Sequence, residues 1–146
     1  MTGADRFLID AGVAIKWVID EPGSAEAVLL LDRRLLAPDL LCAECANILW
    51  KMTVRREITS DEADIAALAL AEADIELVAM RPYLAATAAL AIALDHPAYD
   101  CVYLAVADDL GVPLVTADER LVRKLRQRPG PLGDRVVALT ELPSLL

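Results

Sequence analysis

The sequence predicts an α/β domain with a parallel sheet, and three observations carry that expectation. Short apolar runs of strand length alternate with longer segments of helical periodicity. No long linker, repeat or low-complexity stretch interrupts the alternation. The segments between runs carry the residues that start and stop helices: aspartate, proline and glycine. Strands that alternate with helices build a parallel sheet covered by helices.

In chain order, Arg6 to Ile9 (RFLI) reads as a short buried strand, followed by helical periodicity from Val13 to Val18. A second helical pattern is expected from Ser24 to Leu36, where Leu29, Leu30 and Leu36 can share a face. Pro38 and Asp39 look like a helix start, with Asp39 as N-cap, leading into a helix to about Arg56. A helix from Asp61 to Ala73, a strand from Ile75 to Met80 and a helix from Pro82 to Leu94 follow. The next helix spans Ala98 to Leu110 and ends at Gly111. Val112 to Thr116 (VPLVT) is a buried strand, with Pro113 tolerable near its start. A helix opens at Asp118, and Arg135 to Leu139 completes about four or five parallel strands.

A chain of 146 residues fits a single domain, 1–146, able to bury a core without disulfides or a structural metal. Hydrophobic residues make up 57% against 25% charged, which excludes a disordered chain. The longest nearly apolar run, Leu84 to Leu94, is too short to cross a bilayer, so no membrane partner is expected. MTGADRFLIDAG lacks the pattern of an export signal, and a cytoplasmic location is the expectation. Three cysteines are too few for a disulfide framework.

The net charge of −9 argues against a broad basic face for nucleic acid. The acidic runs Asp61-Glu62-Ala63-Asp64 and Asp108-Asp109 read as solvated surface with no other role. The basic residues are clustered instead. Lys51, Arg55 and Arg56 close one helix, and Arg120, Arg123, Lys124, Arg126 and Arg128 crowd another segment. Either they complement helix C-termini or they form a track for phosphates.

In open parallel sheets ligands bind beyond the carboxyl ends of the strands. Asp10 directly follows RFLI, and Asp118 follows VPLVT with Ala117 between. If the two strands are neighbours, both carboxylates reach one crevice, and Glu44 and Asp100 can point into it from the starts of their helices. Four carboxylates at close range repel, so such a cluster takes up protons or binds a divalent ion. Hard oxygen ligands favour Mg²⁺ or Mn²⁺ over zinc. The competing reading makes Asp10 and Asp118 helix caps and leaves Glu44 and Asp100 at the positive ends of helix dipoles. Glu44 lies among Cys42, Ala43, Cys45 and Ala46, and Asp100 in AYDCVYLAVA, where a charge needs a partner.

LLCAECANILW contains a Cys42-x-x-Cys45 pair, which could be a redox or zinc motif. Zinc requires four ligands, and the chain offers Cys42, Cys45, Cys101 and His96 with no second CxxC. A redox pair needs its first cysteine opening a helix after a strand, whereas Cys42 lies inside the expected helix. Packing is the reading for the cysteines, and Glu44 is the functional residue.

The segments LIDAGVAIKW, PDLLCAECANILWK and YDCVYLAVADDLGVPLVTADERL, in this order, resemble a PIN domain, in particular the VapC-type toxins of toxin–antitoxin pairs. The resemblance covers nearly the whole chain. It implies a three-layer α/β/α sandwich, a metal-dependent ribonuclease, a homodimer and a small antitoxin that covers the active site. Asp10, Glu44, Asp100 and Asp118 match the family's acidic quartet and would hold Mg²⁺ or Mn²⁺. Thr116 matches the hydroxyl residue that precedes the last acid and would hold that carboxylate or a water at the metal. Gly12 departs from the Ser or Thr frequent two residues after the first acid.

Under this reading the metal supplies what phosphodiester hydrolysis needs without a histidine base, and His96, at a helix end, has no direct catalytic role. Lys51, Arg55, Arg56, Arg120, Arg123 and Lys124 then track RNA phosphates beside the site. Two other classes stay open. A phosphate-transferring or receiver-like domain also gathers acids at strand ends, but Asp10-Ala11-Gly12 lacks a DxDxT signature and the receiver's paired acids and late lysine are not evident. A non-catalytic interaction module on the same fold would neither bind Mn²⁺ nor cut RNA.

Overall fold

The computed structural model describes residues 5–146. Five strands, β1 (Arg6–Ile9), β2 (Arg34–Pro38), β3 (Ile75–Val78), β4 (Leu114–Thr116) and β5 (Val136–Ala138), form one sheet in the order β3-β2-β1-β4-β5. Every pairing is parallel. Helices α1 (Ala11–Val18), α2 (Ser24–Val28), α3 (Leu40–Val54), α4 (Ser60–Ala71), α5 (Leu84–Leu94), α6 (Ala98–Leu110), α7 (Glu119–Arg126) and α8 (Leu132–Arg135) connect them.

Strand residues alternate between two cores, as the two-residue period of a strand requires. Phe7, Ile9, Leu35, Ala37 and Val115 face a core shared with α1, α3 and α4. Leu8, Leu36, Leu114, Val136 and Ala138 face a second core, filled chiefly by α6 and α7. Both faces of the sheet are covered, which is the α/β/α sandwich, and it explains why the strands are apolar runs rather than alternating ones.

Helix ends follow their residue chemistry. Asp10 and Asp118, both with extended backbone, cap α1 and α7 with their side chains. Gly111 stops α6 in the left-handed region at φ 65°, where a side chain would be strained. Asp39 has helical backbone angles and makes no side-chain cap bond, because a capping side chain needs extended backbone to reach back. Glu62 is more than solvated surface: Thr59 Oγ1 accepts from its N–H, and its carboxylate accepts from Thr59 N–H, a capping box that starts α4.

One expected helix is corrected. The pattern from Ser24 to Leu36 is not one helix: α2 ends at Val28, a turn follows, and Arg34–Pro38 is strand β2 beside the central β1. Leu30 and Leu36 are buried, but in different cores, while Leu29 is exposed. A strand buried on both faces carries no alternation, so its leucines merged with the helical pattern before it.

Candidate active site

The chain order turns around at β1: β2 and β3 extend the sheet to one side, β4 and β5 to the other. The crevice at such a switch point, beyond the carboxyl ends of the strands, is where this architecture presents ligand-binding residues. Asp10 leaves β1 and Thr116 ends β4, and the two strands pair through Ile9 and Val115.

Each oxygen of Asp10 is held. Oδ1 accepts from Val13 N–H at 3.0 Å, so the capping role is real, and Oδ2 accepts a short hydrogen bond from the Thr116 hydroxyl. Thr116, 1% exposed, also accepts from Asp118 N–H at 3.0 Å. The hydroxyl, expected to hold the Asp118 carboxylate or a water at the metal, gives its hydrogen to the first acid and accepts from the backbone of the last.

Glu44, half-buried in the second turn of α3, accepts from the Tyr103 hydroxyl at 2.6 Å across 59 positions of sequence. Tyr103 is 2% exposed, and burial followed by the Glu44 carboxylate pushes its phenol far up, so it keeps the proton it donates to Glu44. Asp100, in the first turn of α6, accepts from His96 Nε2 at 2.6 Å.

The three carboxylates Asp10, Glu44 and Asp100 act on one another. The carboxyl of Asp10 is pushed up to about 6, first by burial and further by the charges of Asp100 and Glu44, against the pull of its hydrogen bonds. Glu44 is raised by burial and by Asp100, against the bond from Tyr103. Asp118 stands apart: it is exposed, and its Oδ1 accepts from Arg120 N–H at 3.0 Å and Leu121 N–H at 3.2 Å.

Among the described residues no three His, Cys, Asp or Glu side chains converge closely enough to ligate one ion together. The donor set nonetheless has hard-cation chemistry: carboxylates only, half-buried, mutually repelling, with Glu44 Oε2 and Asp100 Oδ1 not taken by a protein donor. Mg²⁺ commonly uses one or two protein carboxylates and keeps its waters, so a closed cage of three is not required.

The expected basic residues divide. Lys51 lies two turns of α3 beyond Glu44, and Arg55 about 16 Å along the axis by helical rise, toward the opposite edge of the sheet. Arg56, in the left-handed region at φ 60°, follows it there. Lys124 Nζ donates to Asp95 O at 3.0 Å and sits 3.2 Å from His96 Nδ1. Arg128 donates to Ala93 O at 3.1 Å, so these two cations cap the end of α5. Arg126 pairs with Glu141 at 2.7 Å. Arg120 and Arg123 on α7 are exposed, without a side-chain hydrogen bond or ion pair among the described residues.

The cysteines are free, and Cys45 packs in the core beside Leu41 and Leu49. Burial pushes its thiol up to about 12. Cys42 is exposed. Two residues of the cluster were not assigned from sequence. Tyr103 carried a weak signal, lying three residues after Asp100 on the same face of a helix. His96 carried one too, four residues before Asp100.

Carboxylates gathered at the switch point of a five-stranded parallel sheet between two helical layers define a class of α/β proteins with an acidic crevice at the strand ends. The chain belongs to the PIN domain family, whose model matches residues 7–126. It is similar to Ribonuclease VapC12 of Mycobacterium tuberculosis (strain CDC 1551 / Oshkosh), 26% identical over 117 residues, which span 80% of this chain and 89% of that one. Ribonuclease VapC12 of strain ATCC 25618 / H37Rv matches to the same extent. The crystal structure of PAE2754 from Pyrobaculum aerophilum superposes with a TM-score of 0.72 over 99% of this chain and 93% of that one. At 21% identity, that likeness is one of fold. Strand β5 lies beyond the matched residues, yet completes the sheet against β4.

Proposed function

We propose that the protein is a Mg²⁺- or Mn²⁺-dependent endoribonuclease and the toxin of a toxin–antitoxin pair. The observation that carries this reading is the placement of carboxylates at the sheet's switch point, with Asp10 at the end of β1 held by Thr116 of β4 and burial raising both Asp10 and Glu44, a charge cost that a divalent cation would relieve. Membership of the PIN family and the name of the VapC12 relatives agree with it. Asp10, Glu44 and Asp100 would hold the ion between them, directly or through its waters, with Asp118 at the rim. When bound, it supplies an activated water and neutralises charge on the phosphodiester. The residues of the chain do the rest. Thr116 and Val13 fix both oxygens of Asp10. Tyr103 fixes Glu44, and Arg120 and Arg123 meet RNA phosphates beside the crevice.

The partner is a small antitoxin that brings a basic side chain to the acids, since unpaired carboxylates attract a guanidinium. An apolar cavity of about 230 Å³ between α3 and α4, lined by Leu41, Cys45, Ala46, Leu49, Leu70 and Ile75, gives an apolar segment of such a partner a seat on α3, the helix that carries Glu44. The exposed apolar residues Trp50, Val54, Ile65 and Leu68 on the same helices fit a homodimer contact. No helix among the described residues is long and apolar enough to cross a membrane.

Calorimetric titration of the purified, partner-free protein with Mn²⁺, beside cleavage of single-stranded RNA with and without chelator, tests the reading. Saturable binding and chelator-sensitive cleavage are expected, both lost in Asp10→Asn. A flat titration and intact RNA would favour the second reading, a non-catalytic PIN module, for which the lack of three converged donors speaks.

A further inference from the structure

His96 is the sole histidine of the chain, and it stands between two charged groups. Its Nε2 is 2.6 Å from Asp100 Oδ2 and its Nδ1 is 3.2 Å from Lys124 Nζ. An ammonium has donors and no acceptor, so Nδ1 must accept from Lys124. The ring proton is then on Nε2, directed at Asp100.

The local sequence explains why this contact forms. The acid in the first turn of a helix commonly folds back onto the N-cap backbone N–H. Here the N-cap of α6 is Pro97, which has no N–H, so Asp100 is free of that bond and His96 holds it instead. The preceding turn is fixed by Asp95 in the left-handed region at φ 49°. Lys124 ties that turn to α7 through Asp95 O at 3.0 Å.

We propose that His96 is a positioning residue for Asp100, with Lys124 setting its tautomer. With Nδ1 taken by Lys124, the ring offers Asp100 a single N–H donor, directed at Oδ2. One oxygen is held and Oδ1 is kept for the ion. The inference rests on the metal-dependent reading above in assigning a use to Asp100. The chain Lys124, His96, Asp100 stands independently of it.

Long-range proton–nitrogen NMR of the metal-free protein reads the tautomer of the single imidazole directly. The parent should show the Nε2–H form, and both Lys124→Met and Asp100→Asn should erode it. In Mn²⁺ titrations, His96→Ala should weaken binding about 10- to 100-fold, and His96→Gln, whose amide N–H can replace the donor, should recover most of it. Thermal melts identify any variant that fails to fold. An Nδ1–H ring in the parent overturns the proposal, as does His96→Ala binding Mn²⁺ like the parent. If the parent takes up no Mn²⁺, the nuclease reading falls and the ring spectra decide: an Nε2–H form unmoved in both Lys124→Met and Asp100→Asn overturns the positioning role, and its loss in both upholds it.

Discussion

Thr116 gives its hydroxyl hydrogen to Asp10 across 106 positions of sequence, at the junction where β4 meets β1. The same oxygen accepts from Asp118 N–H, so one buried hydroxyl ties the first strand's acid to the start of α7. The bond lowers the carboxyl of Asp10, while burial and the neighbouring acids raise it.

Thr116→Val therefore has two readable effects. It keeps the volume of a side chain that is 1% exposed but leaves Asp10 and Asp118 N–H each short of a partner, which costs about 1–3 kcal/mol. It also removes a bond that lowers Asp10, so the pH at which Mn²⁺ binding sets in moves upward. Thr116→Ser should restore both. Denaturant melts and Mn²⁺ titrations across pH check this, and a Val variant with the parent's pH profile would deny the hydroxyl its role.

Asp10 makes the metal-free protein less stable as pH rises. Its carboxyl is pushed up from 3.8 to about 6, so the folded state holds the proton more tightly than the unfolded chain. The resulting stabilisation is complete below about 3.8 and is lost as pH rises through about 6. A shift of that size corresponds to at most roughly 3 kcal/mol. Asp10→Asn, uncharged throughout, should melt higher than the parent at pH 7 without metal, with the difference closing near pH 4. Equal melting temperatures at both pH values would show that neither burial nor the neighbouring acids raise Asp10. In the parent, Mn²⁺ binding should appear as pH rises through about 6.

The cysteines give a chemical prediction. The Cys45 thiol is buried and pushed up to about 12, and Cys101 is also raised, chiefly by burial. Thiolate is the reactive form, so a disulfide reagent should modify Cys42 quickly in the native protein and the other two only on unfolding. Cys45→Ala should cost about 1 kcal/mol as a lost packing atom and leave RNA cleavage near the parent's level. Fast modification of Cys45 would contradict its place in the core.

The elements that were legible in the sequence are those whose ends carry local chemistry. Asp10 and Asp118 follow strands and cap helices, and Gly111 stops one, so β1, β4, α6 and α7 could be placed from short-range signals. Strand β2 could not. RLLAP is buried on both sides, and a continuous apolar run next to a helical pattern has no period of its own. The acids were legible because charges in apolar company demand an explanation. Their partners were not: Tyr103 reaches Glu44 over 59 positions, and Lys124 meets His96 over 28. Such contacts exist only once the sheet has brought α3, α6 and α7 together. For the same reason the sequence does not show that the ammonium of Lys124, expected to meet RNA phosphates, also donates to the end of α5.

Asp118 and Asp10 should respond differently to the same substitution. Both are helix caps that follow parallel strands, and both match the acidic pattern. Yet Asp10 feels the charges of Glu44 and Asp100, while the exposed Asp118 spends Oδ1 on the N–H groups of Arg120 and Leu121. Asn caps a helix about as well as Asp, so Asp118→Asn should leave the melting temperature within about 1 °C, whereas Asp118→Ala should cost about 1 kcal/mol. On Mn²⁺ the prediction is ordered. Asp10→Asn removes the central charge of the cluster and should abolish binding, and Asp118→Asn, at the rim, should weaken it only severalfold, on the scale of one exposed charge. RNA cleavage should follow the same order. Calorimetry on the two carboxamide variants at pH 7.5 decides it: if Asp118→Asn loses Mn²⁺ as completely as Asp10→Asn, the side chain of Asp118 must swing from its cap to the ion, and all four acids are ligands.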